Sequence, residues 1–217
     1  MSPLTPEELP DGFMVKPAQT LEEIEGAKDV EYETFLGQGY IGTNAHNRVQ
    51  EYKILDPCSD FYVVKAPNGG VVAEIRRVKF NPSIGFLTTK EFEVEPYWKQ
   101  IINRTIEESP EQIEEMVSIG VLDQYRAVGR FAFILSAFRL SWQDSVKKGV
   151  KYWIYTGDKT AFRLLKQIFH FPMVQIGPVK YYLGSDTVPG VLDIQDLLNK
   201  WRTGYHPTLG EYFLKGL

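Results

Sequence analysis

The chain is poor in cysteine and histidine, and it has no long apolar run. Its one cysteine, Cys58, excludes an intramolecular disulfide and any multi-cysteine metal site. The histidines, His46, His170 and His206, are dispersed and show no metal-ligand spacing, so no metal is expected. None pairs with Cys58 in a way that suggests a nucleophile, and an ordinary thiol is the expectation there. Nothing approaches the ~20 apolar residues of a membrane-spanning helix. Excess positive charge is also lacking: 24 Lys and Arg stand against 28 Asp and Glu, a net charge of −4. That balance argues against nucleic acid or an anionic membrane as the main partner, since either needs a basic surface. The opening residues carry neither a basic region nor an apolar core, so they do not read as a signal peptide. A cytoplasmic protein with no integral membrane association is expected.

The 217 residues suit one domain, or one domain with an added arm. Residues 1–11 are polar and proline-rich and read as a flexible arm, 12–185 as the folded domain, and 186–217 as a C-terminal helical extension. Residues 13–16 predict a first strand. Apolar spacing at Leu21, Ile24, Ala27, Val30 and Phe35 predicts a helix over 21–36, with Thr20 and Glu23 as a capping box and Gly37, Gly39 and Gly42 ending it. Residues 60–66 and 71–80 predict a hairpin around Asn68-Gly69-Gly70. A loop is expected over 81–90, then helix over 98–116, restarted at Pro110, with 107–115 as a solvated acidic face. A strand at 117–122, a turn at 123–130 and a long helix at 131–148 follow. Then come a strand at 151–155, a helix at 160–169, strands at 174–176 and 179–183 joined at Gly177-Pro178, and a helix at 192–201.

The strand, turn and helix from 116 to 149 carry the most chemistry. Unpaired N–H groups and the positive dipole end of a helix attract anions, and a glycine lets the backbone come close. Arg126 and Arg130 add charge to a turn that holds Gly129. An ordinary strand-turn-helix connection is the alternative. The segment Arg126-Ala127-Val128-Gly129-Arg130-Phe131 resembles the pyrophosphate loop of the GNAT superfamily of N-acetyltransferases, which reads Gln/Arg-x-x-Gly-x-Gly/Ala. Arg126 and Gly129 match; Phe131 stands where that loop has a small residue, and Ala132 follows it. The element order fits the same superfamily over residues 13–184. The resemblance implies an α/β (α+β) fold, a mixed twisted sheet with helices on both faces. It also implies a donor site at Val121, Leu122, Arg126, Ala127, Val128, Gly129, Arg130 and Phe131.

A narrower likeness lies upstream. Glu51-Tyr52-Lys53-Ile54-Leu55-Asp56, followed by the hairpin that ends in Arg76, resembles the acyl-homoserine-lactone synthases and the related N-acyl amino acid synthases. Of the E-x-D-x-x-D block, Glu51 and Asp56 match and Lys53 replaces the middle acid. The Arg-x-x-x-Phe of the lactone synthases reads Glu31-x-x-x-Phe35 here. Their Glu-x-x-Arg falls on Met116 and Ile119. These departures argue against a strict lactone synthase and leave the N-acyl amino acid synthase side open. Ile176-Gly177-Pro178 with Tyr181-Tyr182-Leu183-Gly184 resembles the final hairpin of that group.

The implied activity is N-acyl transfer from a phosphopantetheine thioester, acyl-CoA or acyl carrier protein, to the amine of an amino acid or similar small molecule. A strand N–H near Gly120 or Val121 would polarise the thioester carbonyl. Deprotonating the incoming ammonium calls for a carboxylate, with Glu51, Glu74 and Glu115 as candidates. Arg76 would clamp an acceptor carboxylate with its two-pronged donor, or else form a salt bridge to Glu51 or Asp56. Glu51, Glu74 and Arg76 are thus the catalytic candidates. Phe131 favours a carrier protein, whose single phosphate asks less of the loop, and Lys147-Lys148 either suits the helix dipole or greets such a carrier. The tyrosine that serves many superfamily members as the thiol's acid is missing from 162–167. Two alternatives stand beside this reading: a short-chain, acetyl-CoA-dependent N-acetyltransferase, and a non-catalytic module that binds an acyl ligand or a protein.

Overall fold

The computed structural model describes residues 8–217, apart from the side chain of Arg130. Residues 1–7 of the expected arm lie outside that description. The strands are β1 (Met14–Pro17), β2 (Ser59–Lys65), β3 (Val71–Lys79), β4 (Ile113–Val121), β5 (Tyr152–Asp158), β6 (Val174–Gln175), β7 (Lys180–Tyr182) and β8 (Ser185–Asp193). They form a mixed sheet ordered β1-β2-β3-β4-β5-β8-β6, with β7 also on β8. The helices are α1 (Leu21–Gly37), α2 (Leu87–Glu91), α3 (Pro96–Glu108), α4 (Asp123–Lys148), α5 (Lys159–Arg163), α6 (Ile194–Arg202) and α7 (Pro207–Leu214). By its internal contacts the chain divides into two compact units. Of the described residues, one holds 8–77 with Ser118–Ser141; the other holds Val78–Val117 with Trp142–Leu217.

In the first unit β1 pairs antiparallel with β2, from Met14↔Lys65 to Pro17↔Tyr62. The β2–β3 turn closes as expected: Asn68 Oδ1 accepts from the Gly70 N–H at 3.1 Å, and Gly69 takes φ +86°, which glycine alone adopts freely. The capping box of α1 is complete. Thr20 Oγ1 accepts from the Glu23 N–H at 3.2 Å, and Glu23 Oε2 accepts from the Thr20 N–H at 3.3 Å. Ala27 of α1 packs on Phe61 and Val63 of β2, and burial of this apolar face holds the helix. Side chains alternate along β3, so Arg76 and Arg77 reach opposite sides. Arg76 meets Glu31 of α1, while Arg77 donates to Ser141 of α4 at 2.5 Å and to Tyr62. Helices therefore cover both faces of β3.

In the second unit β4 runs parallel to β5 from Ile113↔Tyr152 to Met116↔Tyr155, and β5 runs antiparallel to β8 from Tyr152↔Asp193 to Asp158↔Thr187. Phe86, Val94, Ile102, Ile113, Ile154, Ile176 and Val191 form its core. A second aromatic group, Trp142, Phe171, Trp201 and Phe213, seats α6 and α7.

Four elements differ from expectation, each for a traceable reason. Strand β4 begins at Ile113, so 113–116 is strand and not helix. Its acids are buried and bonded rather than solvated: Glu114 accepts from Ser145 Oγ at 3.0 Å, and Glu115 accepts from the Leu87 and Thr88 N–H groups at 2.8 and 2.6 Å. Those bonds cap α2, a short helix that overlaps the end of the expected 81–90 loop. The expected turn 123–130 is helical, with Gly129 breaking the regular dihedrals at φ −173°, ψ 32°. Asp123 favours that helical start by its charge at the dipole's positive end and by its 3.0 Å ion pair with Arg126. Finally, the expected helical extension opens with a strand, β8. Pro189 and Gly190 disguise it in sequence, since both residues weaken a strand reading. Strands β6 and β7 each pair with β8 rather than with one another.

Candidate active site

The first unit buries a run of charge between α1, β3 and β4. The alternation that sends Arg76 to α1 sends Glu74 the same way, and Ser118 and Gly120 share one face of β4. Lys28 Nζ lies 2.8 Å from Asp56 Oδ2, and Asp56 Oδ1 lies 2.7 Å from Arg76 Nη2. Arg76 Nη1 is 3.2 Å from Glu31 Oε2, while Glu31 Oε1 lies 2.6 Å from Ser118 Oγ. Ser118 Oγ is in turn 3.1 Å from Glu74 Oε2. Glu31, Glu74 and Arg76 are 2%, 1% and 1% exposed.

Charges alternate along this run until its end, where Glu74 has no ion pair among the described residues. Burial pushes its carboxyl well above the ordinary range, and the neighbouring Glu31 pushes it further; the Ser118 hydrogen bond and Arg76 oppose. Burial also raises Glu31, against the pull of Arg76 and Ser118. Glu74 Oε1 is buried and has no hydrogen-bond partner among the described residues, and the same holds for Thr34 Oγ1. Both atoms converge on Gly120. A Cβ built there would sit 2.9 Å from each and 3.1 Å from Val30 Cγ1, so a side chain would displace them. A buried polar atom without a partner is rare enough to need an explanation.

Val30 also borders a groove of about 450 Å³ along α1 and the β2–β3 turn, together with Glu22, Asp29, Glu33, Val71 and Leu122. Its lining is mostly acidic, with Lys65 paired to Glu23 and Arg48 paired to Glu25 and Asp29.

The structure brings Glu74, Arg76 and Asp56 together. Glu51 is exposed on the 3-10 stretch Gln50–Cys58 and takes no part in the cluster. Glu115 belongs to the other unit and caps α2. Arg76 is held from all sides: besides Glu31 and Asp56 it donates to Ser59 Oγ at 2.8 Å and to the Tyr52 carbonyl at 2.9 Å, with its guanidinium 5.0 Å from the Phe61 ring centre. In the expected donor segment Val121 ends β4, and its carbonyl accepts from Arg126 Nε at 3.3 Å. Leu122 is half-buried, Ala127, Val128 and Phe131 are exposed, and Gly129 is buried. The Arg130 side chain lies outside the described residues. Sequence reasoning missed Glu31, Ser118 and Thr34 as site residues. Glu31 carried a signal: it lies four residues after Ala27, on the apolar face of α1, and an acid there must be paired or neutral.

Among the described residues no group of three His, Cys, Asp or Glu side chains is arranged to hold a metal, and no helix is long and apolar enough to cross a membrane.

This sheet, with its parallel β4–β5 pair and helices on both faces of β3, is the GNAT-like acyltransferase fold. The N-acyl amino acid synthase FeeM, from uncultured soil microbes, matches with a TM-score of 0.63 at 12% identity, over 86% of this chain and 93% of FeeM. The CoA-dependent acyl-homoserine lactone synthase BjaI, solved with SAM and isopentyl-CoA, matches with a TM-score of 0.60 at 13% identity, over 93% of this chain and 90% of BjaI. A putative N-acetyltransferase from Lactobacillus plantarum matches with a TM-score of 0.55 at 10% identity, over 85% of this chain and 99% of that one. At these identities the likeness is one of fold. No protein-family model and no curated protein matches the sequence.

Proposed function

We propose that this chain is a cytoplasmic N-acyltransferase that moves an acyl group from a thioester to the amine of a small molecule. The observation that carries the reading is the unpartnered Glu74 Oε1, buried against Gly120 of β4. A carboxyl raised toward neutrality beside a strand that can receive a thioester is the group needed to take a proton from an ammonium. The amine nitrogen then attacks the thioester carbonyl, the N–C bond forms, and the C–S bond breaks. The departing sulfur takes the second amine proton. The N–H of Gly120 or Val121 would hold the carbonyl oxygen as charge develops on it, and positioning supplies much of the rate.

The donor's phosphate would rest on the segment from Val121 to Phe131, where the break at Gly129 starts a second helical N-terminus. Acyl carrier protein and acyl-CoA both remain donors under this reading, with Phe131 favouring the carrier. The amine acceptor is an amino acid or a similar small molecule. Arg76 is engaged by Glu31, Asp56, Tyr52 and Ser59, so it is a framework residue rather than a clamp for an acceptor carboxylate. The acidic groove at Val30 supports an acceptor whose ammonium is the recognised handle.

The missing tyrosine on the helix after β5 favours a second reading, a non-catalytic acyl-ligand module. Mass spectrometry of organic extracts separates the two. Cells expressing the intact chain should hold N-acyl products that are absent with Gly129→Trp, where even a Cβ would meet the Phe133 ring at 3.1 Å. Identical extracts would favour the non-catalytic module.

A further inference from the structure

Ser118 has one hydroxyl proton and two carboxylate neighbours. Its Oγ lies 2.6 Å from Glu31 Oε1 and 3.1 Å from Glu74 Oε2. It cannot donate to both. Glu31 faces Arg76 and is the better anion, so it takes the serine proton at the shorter distance. The contact to Glu74 is then a hydrogen bond only if Glu74 is the acid form and donates to Ser118 Oγ. Two carboxylates this close in a buried site share one proton for the same electrostatic reason. A neutral Glu74 also accounts for its bare Oε1: a carboxylic carbonyl is far cheaper to leave unpaired in a dry site than a charged carboxylate oxygen.

We propose that Glu31, Ser118 and Glu74 form a proton relay in which Glu74 meets the acceptor amine and Glu31 is the final proton store. The inference rests on the reading of Glu74 as the group that deprotonates the amine. An ammonium N–H passes its proton to Glu74 Oε1. Glu74 gives the proton on its Oε2 to Ser118 Oγ, and Ser118 gives its own hydroxyl proton to Glu31 Oε1. The amine becomes neutral and Glu31 becomes an acid. Glu74 and Ser118 end neutral, each with a proton exchanged. After acyl transfer Glu31 gives up its proton, the Ser118 hydroxyl turns back to Glu31, and the Glu74 carboxyl rotates to present its proton to Ser118 again, which resets the relay. Glu31 and Ser118 act through Glu74 and are positioning residues. The charged groups facing the pair are Arg76 from β3, Asp56 from the Gln50–Cys58 stretch, and Lys28 of α1 behind Asp56. Arg76 keeps Asp56 as a counter-ion while Glu31 is protonated, so the relay leaves no isolated buried cation.

The test is a carbon-13 NMR titration of the full chain labelled at the Glu side-chain carboxyl, with Glu31→Gln and Glu74→Gln assigning the pair. These variants preserve shape. Near neutral pH, wild type should show one of the two carboxyls protonated, with Glu74 the acid form. Glu31→Gln removes the like charge and should lower the Glu74 midpoint by about one pH unit or more. An ionised Glu74 at neutral pH, or a Glu74 midpoint that Glu31→Gln leaves in place, overturns the relay. A second arm follows thiol release against pH. Ser118→Ala should slow turnover about ten-fold or more while KM for the donor stays, and Glu31→Gln should shift the acid limb of the profile. A Ser118→Ala rate and pH profile equal to wild type overturns the relay as a working device. A shared proton in the spectra with no thiol release from any donor keeps the pair and overturns the acyl-transfer reading beneath it.

Discussion

Arg76 and Arg77 are neighbours on β3, each 1% exposed, and they bind opposite layers of the fold. Arg77 ties the strand to α4 through Ser141, and Arg76 ties it to α1 through Glu31. The two differ in consequence. Arg77 donates to Ser141 and Tyr62, whereas Arg76 is ion-paired to two acids, Glu31 and Asp56.

Arg76→Gln should therefore leave Glu31 as an uncompensated buried charge. The expected cost is about 3–5 kcal/mol in urea unfolding, and Glu31→Gln in the same chain should recover part of it. Equal losses for the single and double variants would show that the ion pair with Glu31 is not what Arg76 supplies.

Stability should fall as pH rises above the ordinary carboxylate range, with Glu74 a contributing cause. Its folded carboxyl is raised above the ordinary value of about 4.3, so the folded chain keeps a proton that the unfolded chain releases. Its contribution is thus intact below that ordinary value and is lost as pH climbs through the raised one. Glu115, also raised by burial, acts in the same direction. Glu74→Gln should lose less stability than wild type as pH rises and stay close to it in acid, as thermal unfolding at several pH values would read. The same pH slope in the variant would exclude Glu74 as a cause.

Glu23 works in the opposite sense. Bonds from Gln19 and Lys16 lower its carboxyl to about 2 against the cost of burial, so it stabilises the fold above the ordinary carboxylate range and loses that effect as pH falls toward 2. Glu23→Gln should cost about 1 kcal/mol at neutral pH through the weakened capping box, and the gap should close on acidification.

Gly120→Ala should disturb the site more than the fold. The added methyl meets Glu74 Oε1 and Thr34 Oγ1 at 2.9 Å, and crowding of this kind costs about 1–3 kcal/mol in a packed interior. Acyl transfer should drop further than that stability loss explains. Unchanged thiol release in a folded Gly120→Ala chain would place the reacting carbonyl elsewhere.

Local chemistry was the most readable part of the fold. Thr20 with Glu23, and Asn68-Gly69-Gly70, act within a few residues and form as written. The β8 strand was not readable, because Pro189 and Gly190 argue against a strand and only pairing to β5 and β6 overrides them. Glu115 misled for a similar reason: among other acids it reads as solvated, yet its partners are N–H groups of α2, far away in sequence. In the site, Glu74 and Arg76 were visible through their place after the hairpin turn. Glu31 and Ser118 acquire meaning only when α1 is laid on the sheet, because their contacts span 44 to 87 positions along the chain.

The proposed reaction turns on Glu74 taking a proton from an amine during acyl transfer. Its most direct test measures thiol release by purified wild type and Glu74→Gln, with acyl-CoA and acyl carrier protein donors and a panel of primary amines. Wild type should release thiol only when an amine is present, and Glu74→Gln should be slower by about 10²-fold or more with donor binding unchanged. Equal rates for the two proteins, or no amine-dependent release by wild type with any donor, would contradict it.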